Sequence, residues 1–249
     1  MIHSLEAFAG VSVFVLLVAF LSITLGSAVQ RLSGQGFGLI SAPMIALVAP
    51  EMLPSAVLLL GLVSGLGSFA LDLKSVDRRE LPWGFAGRAL GAVLAAMIAS
   101  SLPFERIAVL VALIVLLAVA LSLKGFTVAI RKSTLFGAGL VAGLMGTLTA
   151  IGAPPMAMLY QNQPPRRARA MQSTFFFFGM VVSIAALGWQ GLIRPQHLSF
   201  ALCIVPAIGL GLILAQPLEA RFSRQMVRPA ALIFSSIAAI ILLLKALIG

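Results

Sequence analysis

The sequence predicts an all-α integral membrane protein of ten transmembrane helices, arranged as two inverted five-helix repeats with broken helices at the midplane. Three observations lead there. Of 249 residues, 61% are hydrophobic and 10% charged, with a mean hydropathy of +1.12. A soluble chain of this length could not hide so much apolar surface. Long apolar stretches recur from end to end, which favours helices over the alternating pattern of a barrel. Finally, two short apolar segments are interrupted alike. Residues 33–44 read Ser-Gly-Gln-Gly-Phe-Gly-Leu-Ile-Ser-Ala-Pro-Met, and residues 145–156 read Met-Gly-Thr-Leu-Thr-Ala-Ile-Gly-Ala-Pro-Pro-Met. A shift of 112 positions superimposes Gly34 on Gly146, Pro43 on Pro155, Met44 on Met156 and Leu47 on Leu159. Paired Gly/Pro breaks in corresponding places of two halves mark the centre of a duplicated transporter. Lipid cannot satisfy the backbone groups that such breaks free, so those groups face protein or a wet cavity.

The apolar spans, in order, are 7–30, 38–50, 54–71, 83–101, 104–123, 134–150, 154–162, 170–188, 198–216 and 229–248. The first apolar run, Ala7 to Val29, is long enough to cross and is not read as a cleavable signal peptide. Spans two and seven are short, and either cross or dip in and return on the same side. The basic residues decide. If all ten cross, 14 of the 17 Lys and Arg share one side, leaving Arg106, Arg194 and Lys245 on the other. If spans two and seven are re-entrant, loops 72–82 and 124–133 face away from loops 163–169 and 217–228, and the bias vanishes. The positive-inside rule selects ten crossings, with both termini outside the cytoplasm. Five spans per half invert the second half relative to the first. Residues 1–123 are then the first repeat, 124–133 a basic cytoplasmic linker, and 134–249 the second repeat. The repeat continues past the breaks: Pro54-Ser55-Ala56 and Arg169-Ala170 open the third span of each half, and Gly65 matches Gly179 at a shift of 114. Trp83 and Trp189 fall at span ends, where interfacial residues belong.

Several function classes are excluded. The net charge of +10 is no nucleic-acid signature, because the basic residues sit in short loops between apolar spans. The single cysteine, Cys203, rules out an intramolecular disulfide and a cysteine-based metal cluster, and reads as a packing residue. Gly34-x-Gly36-x-Gly38 lacks the spacing and the preceding strand of a dinucleotide fingerprint. The pairs Gly61/Gly65, Gly87/Gly91 and Gly139/Gly143 read as close helix packing. The spans offer no acid–base pair, activated nucleophile or metal cluster, so the chain is not read as an enzyme and no cofactor or metal is expected.

The broken segments can bind. A helix starting inside the membrane presents unpaired N–H groups and the positive end of its dipole, a ready anion site. Glycines allow close approach to the backbone, and prolines start a helix without wasting a donor. Gly36, Gly38, Gly152 and Pro154 fit those jobs, and Gln35, Ser41, Thr147 and Thr149 add donors nearby. Gln172, Ser173 and Thr174, early in the eighth span, are further polar groups that serve either as helix glue or as site residues. The expected substrate-binding set is Gln35, Gly36, Gly38, Ser41, Thr147, Thr149, Gly152, Ala153, Gln172 and Ser173.

Absent groups narrow the substrate. All seven acidic residues (Glu6, Glu51, Asp72, Asp77, Glu80, Glu105 and Glu219) lie at span ends or in loops. A cation carrier or carboxylate proton relay normally needs one mid-membrane, so the substrate reads as anionic or neutral. His3 and His197 read as solvated residues near the outer surface. Arg88, about a turn and a half into span four, either snorkels to the cytoplasmic surface or lines an anion access route. Phe175 to Phe178 lie on all faces of their helix, so some meet lipid and others gate a path. The cell interior is negative, so an anion leaving moves with the field, about 2.3 kcal/mol per charge per 100 mV. Export is the preferred direction.

At its two breaks, and again at Arg166–Thr174, the chain resembles the TauE/SafE family of membrane permeases, the sulfite exporters. The resemblance covers nearly the whole chain: the duplicated halves, the glycines before Pro43, and Gly152 with Pro154-Pro155. It implies a multi-pass protein of a bacterial inner membrane that transports sulfite, organosulfonates or related small sulfur-containing anions. The backbone reading reached an anion by itself; sulfur enters only through the resemblance. Both breaks depart from the family pattern. Gln35 and Phe37 separate the glycines of the first break, and Ala153 stands where a glycine is expected. The partners implied are the anion and the lipid bilayer, with no nucleic acid. Proton-coupled uptake and a passive anion channel remain alternatives, and the oligomeric state, a homodimer included, stays open.

Overall fold

The structure is a computed structural model that describes residues 2–33, 36–72, 75–123, 128–219 and 224–248. It is helical from end to end, with helices α1 (Ile2–Ala9), α2 (Val13–Ser33), α3 (Phe37–Val48), α4 (Ser55–Asp72), α5 (Leu81–Ser100), α6 (Phe104–Leu123), α7 (Lys132–Thr149), α8 (Ala153–Tyr160), α9 (Pro165–Trp189), α10 (Pro195–Glu219) and α11 (Arg224–Ile248). A 3₁₀ turn at Pro50–Met52 joins α3 to α4. Each expected span is found as a helix, α2 to α11 in order. The difference is at the start. The run expected to be continuous from residue 7 breaks at Gly10, whose φ of 71° few other residues adopt. The Glu6 carboxylate then accepts the N–H of Val13 at 2.9 Å, capping the new helix. This leaves α1 as an extra short helix. Of the expected linker at 124–133, residues 124–127 lie outside the described residues.

Four helices, α2, α5, α9 and α10, are long and apolar enough to cross a membrane by length and composition. The two short spans are α3, with 12 residues, and α8, with 8. At 1.5 Å per residue they reach only about 18 and 12 Å, against about 30 Å of hydrocarbon.

Packing follows the small residues. Gly87 and Gly91 of α5 lie on the backbone of α7 at Phe136, Leu140 and Gly143, while Gly139 and Gly143 lie on α5 at Gly84, Arg88 and Ala92. Backbones this close require glycine, as the spacing implied. Gly61 and Gly65 of α4 meet side chains of α9 instead, those of Met180 and Phe176, at 3.0 Å from where their Cβ atoms would lie. In α3, Pro43 cannot donate to the carbonyl of Leu39. Ser235 of α11 supplies the missing donor, its hydroxyl 2.6 Å from that oxygen. Cys203 is partly buried against the main core, as a packing residue.

These contacts orient the helices. Gly84 lies on Phe175 and Arg88 on Gly179, so α5 and α9 run in the same direction. Along α4, Ser55 bonds the carbonyl of Leu192, Gly61 meets Met180 and Gly65 meets Phe176, so α4 and α9 run oppositely. Gly152 lies on Arg88 and Met156 on Gly84, so α8 runs back along α5.

His197 corrects its expectation. It is buried at 1% exposure in the first turn of α10, not solvated. Its Nδ1 accepts the N–H of Arg194 at 3.1 Å, and its Nε2 donates to the carbonyl of Glu51, also at 3.1 Å. It ties the 3₁₀ turn of one half to the start of α10 in the other.

Candidate anion-binding site

The two interruptions meet. Gly36 precedes α3 at φ 138°, a conformation open to glycine, and the N–H of Phe37 reaches Gln30 Oε1 at 3.4 Å. Gly38, in the first turn of α3, lies directly on the carbonyl of Ala150 in the second break. That break is built around Thr149. Its hydroxyl donates to the Met145 carbonyl at 2.7 Å and accepts the N–H of Ile151 at 3.1 Å. Ala150, at φ 58°, ends α7 in the left-handed conformation, and Gly152 turns the chain into α8. Pro154 and Pro155 contribute no N–H, so the donors at the start of α8 come from Gly152 and Ala153. Gly38→Val is expected to force the two breaks apart, because its side chain would overlap the Ala150 carbonyl. Thermal unfolding of the purified protein should show a loss of about 1–3 kcal/mol.

Into this junction reaches Arg88 from the second turn of α5, with 2% of its surface exposed. Its Nη1 donates to the carbonyl of Ala142 on α7. Its Nε and Nη2 are buried and meet no hydrogen-bond partner among the described residues. The guanidinium fills the space that side chains would take at Gly146, Gly152 and Gly179; a Cβ at any of the three would strike it. Three glycines, from α7, the turn before α8, and α9, are therefore its cradle. Beside it is a hollow lined by Ala142, Gly152, Ala153, Gln172, Phe175 and Phe176, among others, with room for about one water in this conformation.

The chemistry follows. An ionised guanidinium away from water costs several kcal/mol unless its donors are used. Here the Ala142 carbonyl uses one nitrogen, and Nε–H and Nη2–H remain. These two donors form the side-on fork of an arginine, matched to two oxygens of one oxyanion. The start of α8 adds the positive end of its dipole beside them.

The expected residues divide. Gly152, Ala153 and Gln172 line the hollow with Arg88. Gly36 and Gly38 shape the first break, and only Gly38 touches the second. Ser41 turns toward α2, donating to the Ser22 carbonyl at 3.4 Å. Thr147 shares a 2.7 Å hydrogen bond with Ser183 of α9. Thr149 caps the break, as described. Ser173 is fully buried, its hydroxyl has no partner among the described residues, and it does not line the hollow. Gln35 lies outside the described residues.

Arg88, read from the sequence as either snorkelling or lining an anion route, stands outside the expected substrate-binding set. The snorkelling expectation is overturned: the side chain points into the bundle, held by the Ala142 carbonyl and the glycine cradle. The available signal was a lone arginine between Gly87 and Gly91 in an otherwise apolar span. Of the four consecutive phenylalanines, Phe175 and Phe176 line the hollow, while Phe177 stacks on Phe69 and Phe178 on Phe85, at 5.0 and 3.7 Å between ring centroids.

Among the described residues, no group of three His, Cys, Asp or Glu could hold a metal ion. No curated protein and no solved structure matches the chain. The sulfite exporter TauE/SafE family matches residues 17–242, which takes in both breaks, Arg88 and the glycine cradle, and the chain belongs to that family.

Proposed function

We propose that this protein carries a small sulfur oxyanion, sulfite or an organosulfonate, out of the cytoplasm by alternating access, and that Arg88 grips the anion. The observation that carries this reading is the buried guanidinium with Nε and Nη2 unpartnered among the described residues, beside a helix start and a small hollow. Family membership supplies sulfur; the fork supplies the preference for an oxyanion over a halide.

The helix directions support a full crossing by α8, as the reading of ten crossings requires. Were α8 re-entrant, α5 and α9 would run oppositely and α4 and α9 in parallel; the reverse holds. The packing partners support the duplicated reading. Exchange α2 with α7, α3 with α8, α4 with α9, α5 with α10 and α6 with α11. The pair α5–α7 then becomes α10–α2, α2–α3 becomes α7–α8, α5–α9 becomes α10–α4, and α4–α9 and α6–α11 map onto themselves. Two halves so related can rock about a central site. With ten crossings, the basic loops lie in the cytoplasm and both termini outside it. A hollow with room for about one water, and no wide passage through it, favours a carrier over a standing pore.

The test is binding of sulfite, sulfoacetate, taurine and thiosulfate to the purified protein, with chloride as the reference anion. Oxyanions should bind saturably and compete with one another, and chloride should not displace them. Gln172→Ala, which removes a polar group of the hollow, should weaken binding about tenfold. In vesicles, flux strictly dependent on an inward proton or sodium gradient would count against export.

A further inference from the structure

We propose that Asp77, Glu80, Tyr160 and Arg167 form the gate that closes the Arg88 site toward the end of the protein bearing its basic loops. The proposal rests on the reading of Arg88 as the substrate site. Arg167 Nη2 lies 2.7 Å from Glu80 Oε1 and 3.2 Å from Asp77 Oδ2. The Tyr160 hydroxyl donates to Glu80 Oε2 at 2.8 Å, and Arg167 Nη1 donates to Gln163 Oε1 at 3.0 Å.

The position of these groups is what marks a gate. The hollow is lined by α5 (Arg88), α8 (Ala153 and Met156) and α9 (Gln172 and Phe175). The network draws one residue from each of those elements. Glu80 immediately precedes α5, Tyr160 ends α8, and Arg167 lies in the first turn of α9. Each is four to eight residues from a lining residue on its own element, or about 6–12 Å along a helix. The directions agree: α8 runs back along α5, so all three arrive at the same end. Asp77, whose N–H meets the sulfur of Met171, adds the turn after α4.

Between the network and the hollow lies an apolar plug. Tyr160 is fully buried, with its ring 6.2 Å from that of Phe175, and Met156, Leu159 and Met171 fill in around it. The network itself is partly exposed: the side chains of Arg167, Asp77 and Glu80 keep 34%, 39% and 15% of their surface in contact with solvent. Water thus reaches the ion pairs but not the plug behind them. The pairs tie the first half, at Asp77 and Glu80, to the second, at Tyr160 and Arg167. Rocking one half against the other has to part them. Partly solvated ion pairs suit this task, since each is weak enough to break and together they hold the closed state.

The experiment reads accessibility without substrate, so it can fail while the anion-binding test succeeds, and the reverse. In a Cys203→Ser background, Met156→Cys places a reporter thiol at the hollow behind the gate, and Met180→Cys places a control thiol in the main core. Modification by a charged, water-soluble thiol reagent is timed in lipid nanodiscs. Arg167→Gln should speed modification at position 156 about fivefold, with position 180 unchanged. Tyr160→Phe, which keeps the ring and loses one hydrogen bond, should speed it about twofold. The exchange Glu80→Arg with Arg167→Glu should restore a slow rate. If folded Arg167→Gln and Tyr160→Phe proteins react no differently from the parent, if the charge exchange reacts as fast as Arg167→Gln, or if position 180 speeds up equally, the network is a structural clamp and the proposal is wrong.

Discussion

Replacing Arg88 by methionine is expected to abolish anion binding while leaving the protein at least as resistant to heat as the parent. The two halves of this result come from one geometry. The arginine is 2% exposed, with two of its three nitrogens unpartnered among the described residues. A buried charge held by a single carbonyl is a net cost to the fold, and an unbranched apolar side chain of similar length removes that cost. The carbonyl it leaves, Ala142, sits within α7, where the helix's own ladder serves it. Function should respond in the opposite sense. Losing a desolvated, charge-assisted fork typically costs 2 kcal/mol or more, so affinity should fall at least about thirtyfold. Arg88→Lys separates charge from shape. Lysine keeps the charge but not the two-toothed edge, so it should bind oxyanions weakly and distinguish them poorly from chloride. A purely structural Arg88 would show the reverse pattern: methionine would lower the unfolding temperature and leave anion binding intact. Calorimetric titration and thermal unfolding of the same three samples decide between the two.

Much of this arrangement was legible in the sequence. The ten apolar runs are found as helices because a backbone in lipid has to satisfy its own polar groups, even in the short runs at α3 and α8. The two breaks were legible because glycine and proline punctuate a backbone whatever surrounds them: Gly36 at φ 138°, Pro43 with its orphaned Leu39 carbonyl, and Pro154-Pro155 opening α8. What pattern could not supply is which polar residue faces which. Ser41, Thr147 and Thr149 carry the same hydroxyl group, and all three were expected at the site. Each instead bonds a nearby carbonyl or hydroxyl and braces the breaks. Ser173, with the same hydroxyl, finds no partner among the described residues, and only the fold says which hydroxyl meets which group. Arg88 was left between snorkelling and an anion route for the opposite reason. Its distance from the end of the span allows snorkelling, and the sequence does not reveal that Gly146, Gly152 and Gly179, 58 to 91 positions further on, converge to hold the guanidinium. His197 was misread in the same way, because its partner Glu51 lies 146 residues distant.

That convergence yields the second large effect. Gly179→Val should unfold or strongly destabilise the wild-type protein, by about 1–3 kcal/mol, yet be tolerated when Arg88 is alanine. Gly179 lies in the middle of α9, in ordinary helical conformation, so valine there is not excluded by the backbone. What excludes it is the guanidinium, which occupies the position of the missing Cβ. Close helix packing predicts something different. In that reading the glycine is needed because α5 and α9 approach one another, and shortening Arg88 does not help. The double-mutant cycle separates the two. Compare the unfolding temperatures of the parent, Gly179→Val, Arg88→Ala and the pair. If the cradle is the reason for glycine, the pair is more stable than the sum of its parts by 1 kcal/mol or more, within the range of about 0.5–3 kcal/mol seen for contacting residues. Additive effects would mean that glycine serves the helices and not the arginine. The cradle would then be incidental, and Gly146 and Gly152, which meet the same side chain, would lose their assignment along with it.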